Sequence, residues 1–313
     1  METIEGNNLA RLCDYSFGDH MALWDKSLYQ GMAKVANATN QEFLAKAKEF
    51  EGKIMTLFID NIRLYPRQVR TDSENDKQLV NWLMITNNLL GLCSLLPNNQ
   101  FIIFTGQEDT PLDDYIQIPI NVLKIYAVNA YCQNEKVIPI PFGVQRQMSA
   151  TDNRLEILKK NVEEDTKIEP TKLLYINCGI ERSHDRDYLV DFQGDKWATC
   201  HFDKNTKYFP WDMYQVFLNT IKDHKFMICP KGHFDTLDCH RIWECLYMRR
   251  VPIVRKNPYY DKLLKDFPVL VVNEWSEITE ELLTINDYLY QSAQTMDLSK
   301  LDLQKLYVEA TRL

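Results

Sequence analysis

Residues 225–254 read KFMICPKGHFDTLDCHRIWECLYMRRVPIV. The stretch opens on a short apolar run, Lys225-Phe-Met-Ile-Cys229, which Pro230 and Gly232 break. Apolar runs of this length bounded by turn residues read as buried strands. A polar loop, His233 to Leu237, precedes a helical pattern over Asp238 to Arg249, and Val251-Pro-Ile-Val254 is a second strand. Strand, helix and strand in so short a span form a βαβ unit, which implies a parallel sheet.

The same rhythm extends in both directions. Lys172–Cys178, Trp197–Phe202 and Val269–Val272 are further apolar runs. Pro210–His224 carries Trp211, Tyr214, Phe217, Leu218 and Ile221 at helical spacing, and Arg186–Lys196 is also expected to be helical. In the first half, Ile54–Ile59, Phe101–Phe104, Leu123–Val128 and Val137–Ile140 read as strands, with a long helix over Leu79–Leu96. Ser149–Pro170 is polar and charge-rich, as linkers are, and Glu280–Leu313 reads as helical with few breakers. The expected architecture is α/β, with two doubly wound, Rossmann-like domains facing across a cleft. Residues 1–165 form the first, 166–285 the second, and 286–313 a helix returning to the first. Ligands in such sheets sit beyond the carboxyl ends of the strands.

Composition narrows the function. A chain of 313 residues that is 45% hydrophobic can bury a sizeable core. Its net charge of −8 argues against a general nucleic-acid binder, which needs a positive field. The most apolar stretch, Trp82–Leu96, is interrupted by Thr86, Asn87 and Asn88 and is shorter than the ~20 residues of a membrane span. Met1–Asn8 is acidic and polar, unlike a secretory signal, so a cytoplasmic protein is expected. Most of the eight cysteines lie in apolar runs and read as buried thiols of a reducing compartment. Cys229, His233, Cys239 and Cys245 lack the paired spacing of a structural zinc site, and no metal is expected.

Arg241 falls in the first turn of the 238–249 helix, and Glu244 lies three residues on, on the same face. A helix N-terminus at the end of a parallel strand attracts phosphate, and an arginine there can clamp a diphosphate in bidentate fashion. Glu244 can accept hydrogen bonds from ribose hydroxyls. The competing reading is a local Arg–Glu ion pair on an exposed face.

Residues 225–279 resemble the donor-binding region of exostosin-like glycosyltransferases. Within that family they are similar to a viral and bacterial branch with the pattern [C/S]P-x-G…D-x-HR-x-WE-x-LY…P-[IV]-V, followed by D-[LF]-P-[VI]-L-x-V-x-[DE]-WS-x-[IV]-T. The residues concerned are Cys229, Pro230, Gly232, Asp238, His240, Arg241, Trp243, Glu244, Leu246, Tyr247 and Pro252–Val254. They continue with Asp266–Leu270, Val272, Glu274, Trp275, Ser276 and Thr279. Ile125–Asn129, Lys136–Gly143 and Lys172–Asn177 are similar to the branch's inter-domain segment and first C-domain strand. The chain departs where the branch often has small residues and a Gly or Cys, carrying Met248-Arg249-Arg250 instead.

The resemblance implies a GT-B fold and an inverting, metal-independent transfer from a nucleotide sugar, UDP-sugar favoured over GDP-sugar. The acceptor it implies is a hydroxyl of a glycan or glycoconjugate. Donor binding is expected from Arg241, Glu244, His240, Lys231, Gly232, Asp238 and Arg182. A general base is required, and Asp109, then Glu108, is its expected source, after the strand Phe101–Phe104; Asp19 and His20 are rivals. Asp185-Arg186-Asp187 spells DxD but is expected to cap a helix, and Asp113-Asp114 to be a solvated pair. A modified DNA base is a less favoured acceptor, suggested only by Arg63, Arg67 and Arg70. A non-catalytic nucleotide-sugar- or glycan-binding module, or a binder of an unrelated nucleotide, are readings from another class.

Overall fold

The computed structural model describes residues 8–17, 41–59, 89–106, 111–144, 153–164, 169–180, 184–203, 213–232 and 236–312. Among them are ten strands: β1 (Tyr15–Ser16), β2 (Ile54–Ile59), β3 (Gln100–Thr105), β4 (Val122–Ala127), β5 (Val137–Pro139), β6 (Lys172–Gly179), β7 (Ala198–Asp203), β8 (His224–Ile228), β9 (Val251–Arg255) and β10 (Leu270–Val272). The helices are α1 (41–48), α2 (Leu89–Ser94), α3 (Arg154–Glu164), α4 (Met213–Lys222), α5 (His240–Tyr247), α6 (Pro258–Leu263), α7 (Glu280–Ile285), α8 (Asp287–Thr295) and α9 (Leu303–Thr311). The strands form two five-stranded sheets, parallel throughout.

The chain divides into two units. One is Asn7–Ile140 with Tyr307–Leu313; the other contains Pro141–Leu306. The boundary therefore falls at Pro141 rather than near residue 165. The cause is α3, whose Asn161 exchanges two amide hydrogen bonds, 3.0 and 3.1 Å, with Gln215 of α4. Residues 286–306 stay with the C-terminal unit, and Tyr307–Leu313 belong to the N-terminal one.

In the N-terminal unit the strand order is β1-β2-β3-β4-β5. β2 and β3 each bury five consecutive residues, as strands covered on both faces do. Asp14 Oδ2 accepts from the Thr56 amide and hydroxyl, both at 2.8 Å, which secures the two-residue β1. Because the Thr56 hydroxyl is spent on Asp14, Tyr307 Oη, 3.1 Å away, donates to it. The Tyr307 ring lies 5.4 Å from Phe104, itself stacked on Tyr126 at 5.2 Å, and Tyr126 Oη donates to Ala310 O.

In the C-terminal unit the order is β10-β9-β8-β6-β7. β7 lies on one side of β6 and β8 on the other, so the winding reverses between β6 and β8. Among the described strands, this reversal occurs in the C-terminal sheet alone. Leu174, Ile176 and Cys178 of β6 join Phe226, Ile228, Val251, Ile253, Leu283 and Tyr290 in one buried cluster. On the opposite face of β6, Tyr175 stacks on His224 at 5.3 Å, and its hydroxyl meets Asn177 Nδ2 and His201 Nδ1.

The expected continuous helix over 280–313 is broken at Asn286 and at Met296-Asp297, where Asp297 caps a 3-10 turn by accepting from Ser299 N. Helix α5 ends in a Schellman turn: Arg250 N bonds Cys245 O and Arg249 N bonds Leu246 O. Arg249 takes the left-handed conformation there, φ 54°. This turn normally needs glycine. Arg249 Nη1 donates to Gln294 O and Met296 O, and Arg250 donates to Met248 O and Lys222 O. Both extra arginines are thus spent on backbone carbonyls near the amino end of β9. Among the described residues, no helix is long and apolar enough to cross a membrane.

Candidate functional site

The strand order reverses between β6 and β8, and in such sheets ligands usually sit beyond the carboxyl ends of the strands at that point. The loop after β8 leads from one of these strand ends to the N-terminus of α5. Helix α5 forms because Ile242, Trp243, Cys245 and Leu246 bury one continuous surface. Its N-cap is Cys239, which makes no side-chain capping bond.

Arg241 lies in the first turn. Its Nε is buried and has no hydrogen-bond partner. Its positive charge reaches Tyr175 and Cys178 of β6, Cys229 after β8, and Cys239. The guanidinium therefore stands at the reversal. Burial pushes the Tyr175 hydroxyl up to about 12, opposed by Asn177 and by Arg241. The Cys239 thiol moves the other way, to about 7, chiefly through a hydrogen bond from Cys229; Arg241, the Ile242 amide and Arg186 assist against burial.

The loop after β8 is held from below. Arg186 Nε donates to Lys231 O at 3.1 Å, Nη2 bonds the same carbonyl, and Nη1 reaches Gly179 O at the end of β6. Asp185 Oδ2 accepts from Lys231 N, and Oδ1 pairs with Arg255 Nη1 at 2.7 Å. Trp275 Nε1 donates to Asp185 O. The DxD sequence is thus a clamp on the Lys231 peptide, within a 3-10 helix over His184–Phe192. Gly232 is required by proximity: its amide donates to Thr236 O at 2.7 Å, and a Cβ would come within 2.4 Å of Thr236 Oγ1. A cavity of about 110 Å³ opens beside this loop, walled by Asp185, Cys229, Lys231, Arg255, Lys256 and Tyr260 among others.

Other expected donor-binding residues have different partners. Asp238 is buried; Oδ2 accepts from Phe142 N and Oδ1 from Trp243 Nε1, both at 2.7 Å. Burial raises its carboxyl well above the ordinary range, partly offset by these donors. His240 Nδ1 donates to Gly143 O at 2.9 Å, and its ring lies 4.6 Å from Phe142. Both residues therefore tether the Pro141–Gly143 segment to α5. Glu244 is not on an exposed face: it is 3% exposed, and its Oε1 accepts from Tyr214 of α4 at 3.0 Å. Trp243 and Tyr247 are core residues.

Arg182, Glu108, Asp109, Asp19, His20 and Arg63, Arg67 and Arg70 lie outside the described residues. Asp113 and Asp114 accept from the Tyr115 and Gln133 amides and so shape their loop. No group of three or more His, Cys, Asp or Glu side chains among the described residues is arranged to hold a metal. Sequence reasoning missed the roles of Asp185, Arg186 and Arg255. The one local signal was an Asp-Arg-Asp run soon after a buried strand. No protein-family model matches the chain, and no curated protein matches it.

Proposed function

We propose that the chain is an inverting glycosyltransferase using a nucleotide-sugar donor, with UDP-sugar favoured and a glycan or glycoconjugate hydroxyl as acceptor. The observation that carries the reading is Arg241. A buried guanidinium nitrogen without a partner costs about 1–3 kcal/mol, so a ligand oxygen at that place recovers free energy. The uncapped helix end beside it favours the same anionic ligand. Arg241, the Lys231–Gly232 loop and Arg182 are assigned the diphosphate. Glu244, whose carboxylate accepts from Tyr214, is assigned the ribose hydroxyls. Asp238 and His240 act through the shape of the helix N-terminus.

In the transfer, a carboxylate, Asp109 first and Glu108 second, removes the acceptor hydroxyl proton. The acceptor oxygen attacks the anomeric carbon from the face opposite the leaving diphosphate, whose charge Arg241 neutralises.

The test is a thermal-shift panel of UDP, GDP, CMP and their sugars, run with EDTA and with Mn²⁺. A nucleotide at about 100 times its Kd stabilises by about 2.7 kcal/mol. One nucleotide class raising Tm, with the rise lost in Arg241→Ala, supports the reading. No rise with any nucleotide overturns it.

A further inference from the structure

We propose that the cavity of about 110 Å³ beside the loop after β8 binds a phosphate group, held by Lys231, Lys256 and Asn257. The space is several times the ~10–15 Å³ that one water needs. Its wall joins the ends of two strands. Cys229 and Lys231 follow β8, Arg255 ends β9, and Lys256 and Asn257 come next.

The class of ligand follows from which wall groups are already engaged. Arg255 spends all three guanidinium nitrogens: Nε on Asn273 O at 3.2 Å, Nη1 on Asp185 Oδ1 at 2.7 Å and Nη2 on Glu274 at 2.8 Å. The other Asp185 oxygen accepts from Lys231 N. Trp275 Nε1 donates to Asp185 O, and Tyr260 Oη to Leu237 O. Asn257 Oδ1 accepts from Tyr259 N at 2.9 Å, which leaves its NH₂ group as a donor. The Lys231 and Lys256 ammonium groups pair with no carboxylate among the described residues.

A ligand in the cavity therefore meets three donor groups and two unbalanced positive charges, while the carboxylate of the wall is occupied. Sugar hydroxyls and nucleobase edges carry donors that need acceptors, and match such a wall poorly. A carboxylate has two oxygens for three donor groups. A phosphate group has three, needs donors alone and carries the complementary charge. Both lysine backbones are also fixed. Lys231 is held through its amide and carbonyl by Asp185 and Arg186, and Lys256 N donates to Val272 O at 2.7 Å. Binding has only side-chain freedom left to order.

Arg241 is not part of this wall, so the site does not rest on the donor reading above. Its charge does reach Cys229, which lines the cavity. The phosphate is thus either a separate anion or one carried by the nucleotide, and the experiment separates the two.

The test is phosphorus NMR line broadening of inorganic phosphate by the full chain, with ionic strength held by sodium chloride. Saturable broadening is expected. Lys256→Met, at an exposed position, should weaken binding about tenfold, as loss of a charged hydrogen-bond partner does. Asn257→Asp still accepts from Tyr259 N, so the urea midpoint should hold, but a negative charge replaces the donor and broadening should vanish. No broadening by the natural protein, or equal broadening by it and both variants, overturns the proposal. So does broadening lost in Arg241→Met but kept in Lys256→Met, which would place the phosphate at α5 instead. The titration is repeated with saturating UDP. Undiminished broadening supports a separate phosphate. Displacement, with the UDP-induced Tm rise reduced in Lys256→Met, supports the same cavity filled by the nucleotide's own phosphate. Lysine-dependent broadening in a chain that shows no Tm rise with UDP supports the cavity and speaks against the donor site alone.

Discussion

Arg249 is the position where backbone physics and residue identity disagree most openly. It is the residue after the C-cap of α5, with φ 54°. A non-glycine residue pays about 1–2 kcal/mol in this conformation. Arginine is tolerated because its guanidinium donates to Gln294 O at 2.8 Å and Met296 O at 2.9 Å. Two such part-buried bonds, at the ordinary net worth of about 1 kcal/mol each, contribute about 2 kcal/mol together. Arg249→Ala loses the bonds and retains the strain, so it should destabilise by about 2 kcal/mol. Arg249→Gly loses the bonds but relieves the strain, less about 0.5–1 kcal/mol for glycine's extra freedom when unfolded. The glycine variant should therefore be the more stable of the two by about 1 kcal/mol. At the exposed helical position Ser292 the order should be the reverse, with alanine ahead of glycine by about 1 kcal/mol. Urea unfolding followed by tryptophan fluorescence reads all four variants. Alanine equal to or better than glycine at residue 249 would show that the left-handed turn carries no strain.

Three further outcomes follow from the same geometry. Arg241→Met should leave stability unchanged or raise it slightly in urea unfolding, since it removes a buried donor without a partner, while abolishing the nucleotide-induced Tm rise; a loss of 2 kcal/mol would show the guanidinium to be structural. Burial holds His224 below its ordinary value, despite its hydrogen bond to the Thr220 carbonyl. The unfolded chain therefore binds the proton more tightly, and His224's contribution to stability is complete above about pH 6.5 and declines below it. Urea midpoints at pH 7.5 and 5.5 should differ more in the natural protein than in His224→Gln. Gly232→Ala forces a Cβ against Thr236 Oγ1 and should weaken nucleotide binding, with partial recovery in Gly232→Ala/Thr236→Ala; a single variant that binds normally would show that the loop yields without cost.

The strands were legible because parallel sheets bury whole runs. Leu57-Phe58-Ile59 and Ile102-Ile103-Phe104 need no partner to be recognised. The place of Arg241 in the first turn of a helix was legible too, through the strand–turn–helix reading. Glu244 was not. Its spacing from Arg241 defined a face, but Tyr214, thirty residues away, decides that the carboxylate is buried. Asp185 was read as a cap because its local sequence suits one, whereas its partners, Lys231 and Arg255, come from two other strand ends. Helix α6 had a usable signal that went unread: Asn257 caps it by accepting from Tyr259 N, and Pro258 opens it. Asp238 and His240 resemble ligand-binding residues by type. Their hydrogen bonds to Phe142 and Gly143 depend on where a segment about a hundred residues earlier crosses the fold.

Tyr307–Leu313 complete the unit that opens at Asn7. Synthesis therefore delivers the two units out of step. The N-terminal sheet emerges first, yet the ring that covers Phe104 and the hydroxyl that meets Thr56 arrive only after the whole of Pro141–Leu306 has been made. The unit translated second is the one able to finish first, and the earlier unit waits with an aromatic surface uncovered. A shortened chain lacking Tyr307 onward would register its damage at the opposite end of the sequence, in the sheet around Thr56, Phe104 and Tyr126.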